Sequence, residues 1–95
     1  MAIETQIETD LAIPPGELLQ EELRARGMTQ KRLAGLMNRP PQAISEIIRG
    51  RKAITAETAL ALEEALEIPA YFWLRLEAQY RLILARQKQG GRRSA

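Results

Sequence analysis

Apolar residues recur at helical spacing in five runs along this chain, and turn-forming residues separate the runs. In the first, "GELLQEELRAR", Leu18, Leu19 and Leu23 share one face, the repeat of an amphipathic helix. Pro14-Pro15-Gly16 precedes it and Gly27 follows. The pattern therefore predicts a helix starting just after the punctuator and stopping at a C-terminal glycine. Thr29 then offers an N-cap to "QKRLAGLM", where Leu33, Leu36 and Met37 fit a helix of about two turns. Asn38 suits the left-handed conformation that closes such a helix. Pro41 biases Pro40 toward extended backbone and itself fits a first helical position. A third helix is expected from about Pro41 to Arg49, ending at Gly50, with Ile44, Ile47 and Ile48 facing a core.

The remaining runs predict two more helices. Thr55 caps the fourth, Glu57 in its first turn complements the helix dipole, and Ala59, Leu62 and Leu66 share a face. After Pro69, "AYFWLRLEAQYRLILARQKQ" carries two apolar stripes: Trp73, Leu76, Tyr80 and Ile83, with Phe72 adjoining, and Leu74, Ala78, Leu82 and Ala85. One small core covers one such stripe. A helix packed on several neighbours would absorb the other; the preferred expectation is a dimer contact at Phe72, Trp73, Leu76, Tyr80, Ile83 and Leu84. Residues 1–13 alternate loosely, as a short strand or a flexible arm. The division expected is an arm at 1–13, a domain at 14–86 and a basic, flexible tail at 87–95.

Composition narrows the chemistry. At 95 residues the chain is long enough for one small domain with a modest core, which oligomerisation would reinforce. It holds no cysteine and no histidine. That removes disulfides, the usual zinc sites and histidine base catalysis, so neither metal nor cofactor is expected. Glu63 and Glu64 have no evident catalytic partner and read as the solvated side of a helix, so no enzyme is expected. No run has the length of a membrane span, and the N-terminus "MAIETQIETD" is acidic, unlike a signal peptide. A cytoplasmic protein is the expectation.

Charge is placed unevenly. The formal net charge is +2, yet the first 23 residues carry only acidic groups: Glu4, Glu8, Asp10, Glu17, Glu21 and Glu22. Arg39, Arg49, Arg51 and Lys52 against Glu46 make residues 38–52 net +3, and Arg86, Lys88, Arg92 and Arg93 make the C-terminus basic. Such a patch suits an anionic partner contacted on one face, although charge runs are more often merely solvated.

"TQKRLAGLMNRPPQAISEIIRG" fits two short helices joined by a tight turn, with small Ala34 and Gly35 where the helices cross. A plain helical hairpin fits equally by composition. The polar face favours a helix-turn-helix. Gln30, opening the second helix, can hold a phosphate with the exposed N–H groups there. Gln42, in the first turn of the third helix, can donate and accept at once, as bidentate reading of adenine requires. Ser45, Glu46 and Arg49 follow at i+3, i+4 and i+7, and Arg39, Arg51 and Lys52 flank the helix where a DNA backbone would pass. Each residue alone is ordinary surface; their joint placement on one face carries the information.

At these residues the sequence resembles a known family. "MTQKRLAGLMNRPPQAISEIIRGRKAITAETALALEEAL" is similar to the helix-turn-helix of lambda-repressor/Cro-like (XRE) regulators. "PPGELLQEEL", "RKAITAETALALE" and "PAYFWLRLEAQYRL" resemble HigA-type, or VapI-like, antitoxins, and the likeness spans roughly Ile13 to Leu84. The resemblance implies an all-α, lambda-repressor-like fold of about five helices. It implies a homodimer on double-stranded operator DNA that represses its own operon, and a HigB/RelE-like mRNA interferase toxin as partner. It adds Ala43 to Gln42, Ser45 and Glu46 over the base edges. The candidate DNA-contacting set is thus Thr29, Gln30, Arg39, Pro41, Gln42, Ala43, Ser45, Glu46, Arg49, Arg51 and Lys52. Relatives commonly carry serine or threonine at the position of Pro40 and a polar residue at that of Pro41, so the operator sequence does not transfer. The alternatives are a solitary regulator without a toxin and a helical protein-interaction adaptor. The acidic arm is a candidate toxin contact, or simply a disordered tail.

Overall fold

The computed structural model describes residues 12–94, with side-chain surroundings through residue 90. The acidic segment 1–11, and with it the choice between strand and arm, lies outside the described residues. Five helices follow in order: α1 Pro15–Arg26, α2 Gln30–Leu36, α3 Pro41–Ile48, α4 Ala56–Leu66 and α5 Ala70–Ser94. The described residues form no strand, so the fold is all-α as expected.

Local chemistry sets most helix ends. Pro14 is extended at φ −64°, ψ 140°, and Pro15 takes the first helical position, so α1 begins inside the Pro-Pro-Gly sequence rather than after it. Gly27, at φ 64°, closes α1 and gives its N–H to Arg24 O at 3.1 Å. The Thr29 hydroxyl accepts the Arg32 N–H at 3.0 Å, and the Thr55 hydroxyl accepts that of Thr58 at 3.2 Å, the N-caps the sequence predicts. Asn38 closes α2 at φ 57°. Pro40 and Pro41 start α3 as expected, and the helix ends at Ile48 with Arg49 as C-cap.

Leu19, Leu33, Ile44, Leu62, Leu66 and Trp73 are the largest wholly buried side chains and draw all five helices onto one core. At such positions each apolar side chain stabilises the fold by about 1.5–3 kcal/mol relative to exposure. The tightest backbone approach involves Gly16. A Cβ there would lie 2.2 Å from the Ile47 carbonyl oxygen and 2.6 Å from the Ile48 Cα. Glycine therefore lets the start of α1 touch the end of α3. The small-residue role assigned to Ala34 and Gly35 holds only for Ala34, which is buried; a Cβ on Gly35 would meet nothing within 4 Å.

The last helix departs from expectation in three ways. Glu63 is not merely solvated surface: its Oε1 accepts the Ala70 N–H at 3.0 Å and caps α5 from the preceding helix. α5 runs to Ser94, so residues 87–94 are helical rather than a flexible tail. An established helix extends at one hydrogen bond per residue, which offsets the roughly 1 kcal/mol penalty of a glycine. Third, Trp73 is closed to any second subunit. It is 0% exposed, with its ring edge-on to Phe72 at 5.5 Å between centroids. Ile83 is also buried, and Phe72, Leu76, Tyr80 and Leu84 are half-buried. The stripe expected to face a partner instead turns mainly into its own subunit. The uncovered side of α5 displays Tyr71 and Leu82, 67% and 49% exposed, with Ala78 and Ala85 also exposed.

Candidate nucleic-acid interface

The apolar side of α3 dictates what its other side presents. Ile44, Ile47 and Ile48 are buried at 0%, 5% and 9% exposure. Gln42 and Arg49 are consequently exposed, while Ala43, Ser45 and Glu46 are half-buried along the same outward edge. Exposed Pro41 forms the tip of the helix with exposed Pro40 before it. Neither proline offers a hydrogen-bonding side chain, so polar reading by α3 begins at Gln42. The geometry therefore brings Gln42, Ser45, Glu46 and Arg49 to one accessible surface.

α2 supplies the neighbouring edge. Thr29 is exposed, and its hydroxyl is occupied by the Arg32 N–H. Gln30 is half-buried at the first helical position. The first N–H groups of a helix have no intrahelical acceptor, so the backbone around Gln30 can donate to an anion.

The flanking cations divide into two kinds. Arg51 and Lys52 are exposed, and the Glu46 carbonyl accepts their N–H groups at 2.9 and 3.2 Å. Gly50, at φ 78°, makes the turn that folds them back beside α3. Arg39 is not a loose flanking cation. Its Nη1 donates to the Thr58 hydroxyl at 2.9 Å, which ties the α2–α3 turn to the first turn of α4. That bond uses one of five guanidinium donors. Arg39, Glu46, Lys52 and Thr55 line a concavity of about 240 Å³ beside the outer edge of α3. Among the described residues Glu46 makes no ion pair within 4 Å, so its carboxylate remains able to accept from a base amine.

Two contributors escaped sequence reasoning. Gly16 sets the seat of α3 through a contact between residues 31 positions apart, and no local pattern reports it. Glu77 is buried on α5, where its carboxylate accepts the Ile54 N–H at 3.0 Å and the Arg81 Nε–H at 2.6 Å. Its signal was present: a charged residue one turn beyond Trp73, on the inward side of the helix.

No cluster of three or more His, Cys, Asp or Glu able to hold a metal occurs among the described residues, and no described helix is long and apolar enough to cross a membrane.

Comparison with known proteins agrees with this geometry. Residues 19–73 match the model of a helix-turn-helix family. Virulence-associated protein I of Dichelobacter nodosus is 40% identical over 77 residues, covering 80% of this chain and 71% of that protein. An addiction-module antidote protein of the HigA family from Coxiella burnetii has the same fold, with a TM-score of 0.78 and 36% identity over 84% of this chain and 88% of that one. The Pseudomonas aeruginosa antitoxin HigA, solved with the higBA promoter, superposes with a TM-score of 0.80 at 28% identity, covering 86% and 90% of the two chains.

Proposed function

The chain belongs to the XRE-type helix-turn-helix family, in its HigA/VapI-like branch, and from that membership we propose that it is the antitoxin and autorepressor of a type II toxin–antitoxin module. It binds operator DNA as a homodimer, with α3 in the major groove, and neutralises a HigB-type, RelE-like mRNA interferase. Its place of action is the bacterial cytoplasm.

One observation carries the DNA-binding part: Gln42, Ser45, Glu46 and Arg49 line the outward side of a helix whose other side is closed by three buried isoleucines. A surface helix of this kind needs no polar reading set for stability. The side chains available match base-edge chemistry, with glutamine for adenine, a carboxylate for the cytosine amine and arginine for guanine or phosphate. Gln30 and the α2 N-terminus hold one phosphate, and Arg51 and Lys52 meet the backbone on the other side. Thr29 acts indirectly, by fixing the start of α2. Arg39 serves first as the Thr58 tie and also lines the concavity.

A palindromic operator would call for a dimer. Two copies of α3 would then enter successive major grooves about 34 Å apart. The exposed side of α5, with Tyr71, Ala78, Leu82 and Ala85, supports a contact with a second copy better than the stripe through Trp73. The half-buried Phe72, Leu76, Tyr80 and Leu84 flank it, and Ile83 contributes little beyond its own subunit.

The test is a mobility-shift titration with DNA from the chain's own upstream region at two salt concentrations, alongside co-purification with the product of a small neighbouring open reading frame. Tight, salt-dependent and sequence-selective binding is expected. Absence of DNA binding even at low salt would leave a protein-interaction adaptor as the better reading.

A further inference from the structure

Glu77 lies midway along α5 on the side turned into the subunit, and only 9% of its surface is exposed. Oε1 accepts the backbone N–H of Ile54 at 3.0 Å, and Oε2 accepts from Arg81 Nε at 2.6 Å. The Arg81 guanidinium also lies over the Tyr80 ring, 5.1 Å from its centroid. The carboxylate is thus held on both oxygens and has little room to turn.

Ile54 belongs to the loop between α3 and α4, and its side chain is buried. Arg51 and Lys52 lie three and two residues before it in the same loop, with Ala53 between. At their near side, both N–H groups converge on the Glu46 carbonyl. At their far side, the next anchored N–H is that of Ile54, and its acceptor comes from a different helix, 23 positions along the chain. The two exposed cations therefore sit on a short span pinned at one end by the base-reading helix and at the other by Glu77.

We propose that Glu77 is a positioning residue for DNA binding: through the Ile54 N–H it holds Arg51 and Lys52 where they meet the phosphate backbone. The proposal rests on the DNA-binding reading above. A buried N–H without an acceptor is costly, so losing the carboxylate favours a loop that moves until the group finds water. A carboxylate also accepts more strongly than a neutral oxygen would. The moved loop keeps its charges but not their register with the phosphates, while the seat of α3 on its isoleucines is unchanged.

Salt dependence separates this role from simple stabilisation. Each phosphate contact contributes about 0.9 to the slope of log affinity against log salt. Glu77→Met fills similar volume and removes the acceptor. The expected result is affinity reduced about tenfold on operator and random DNA alike, with a slope shallower by about one to two units. Glu77→Gln retains an acceptor oxygen and should recover most of that slope. In an Arg51→Ala/Lys52→Ala background, Glu77→Met should have little further effect. A merely structural residue would lower the active fraction without changing the slope, and its effect would persist in that background.

Amide hydrogen exchange of the wild-type protein without DNA provides a second readout independent of any variant's folding. The Ile54 amide is expected among the slowly exchanging positions. Exchange at the rate of an unprotected amide would overturn the tether. Wild-type binding that is salt-dependent, combined with an unchanged slope for folded Glu77→Met, would overturn the assignment of Glu77 alone. Failure of the wild-type protein to bind DNA would overturn the DNA-binding reading instead.

Discussion

Adding one methyl group at Gly16 probes how α3 is seated. The new Cβ would lie 2.2 Å from the Ile47 carbonyl oxygen and 2.6 Å from both the Ile48 Cα and its carbonyl oxygen. All three are backbone atoms, so no rotamer change relieves the contact. To reach even 3.0 Å from the nearest, α1 and α3 must part by about 0.8 Å. Overpacking of this kind costs about 1–3 kcal/mol. Its backbone character places Gly16→Ala near the upper end, and alanine's better helix propensity returns about 0.5–1 kcal/mol. A net loss of about 2 kcal/mol lowers the melting temperature of a domain this size by roughly 8–16 °C. Gly35→Ala is the matched control. A Cβ there meets nothing within 4 Å, so the same propensity gain should appear unopposed, as a rise of a few degrees, since about 0.5–1 kcal/mol is involved. Thermal melts followed by circular dichroism at matched protein concentration decide the matter. A Gly16→Ala protein melting within about 4 °C of wild type, a change under roughly 1 kcal/mol, would refute the close seating of α3 on α1.

Other substitutions address separate parts of the account. Arg51→Ala should weaken binding to every DNA sequence and flatten the salt slope by about one unit, measured by fluorescence anisotropy across a salt series; an unchanged slope would remove Arg51 from the phosphate contacts. Leu82→Glu places a charge on the exposed side of α5 and should weaken the proposed homodimer tenfold or more if that side is its core, as about 1.4 kcal/mol suffices. Sedimentation equilibrium reads this directly, and an undisturbed dimer would move the contact to another face. Glu63→Ala removes the cap on the Ala70 N–H and should cost about 0.5–2 kcal/mol in chemical denaturation; no loss would show that water replaces the carboxylate at no cost.

Much of the frame was legible because it depends on neighbouring residues. Thr29 and Thr55 cap through bonds three residues away. Asn38 and Gly27 close helices by their own backbone freedom. The three isoleucines of α3 report their face by spacing alone, and that spacing also turns Gln42 outward. Much of what spacing could not report concerns distant partners. Spacing showed that Trp73 belongs to a stripe but not which body covers it, and the subunit's own core does. Arg39 meets Thr58 across 19 positions and Glu77 meets Ile54 across 23. Gly16 is demanded by a carbonyl that only the tertiary fold brings near. Glu63 hid its role as a cap because Ala70 lies beyond Pro69, past the end of the helix that bears the carboxylate.

The central claim is that the outward side of α3 reads bases, and Gln42→Ala tests it most directly. Affinities of wild type and variant should be measured on operator DNA and on random DNA at one fixed salt concentration. The variant should lose about 1–3 kcal/mol on the operator, with specificity relaxed at one base pair per half-site and little change on random DNA. Equal losses on both DNAs, or none on either, would contradict the claim.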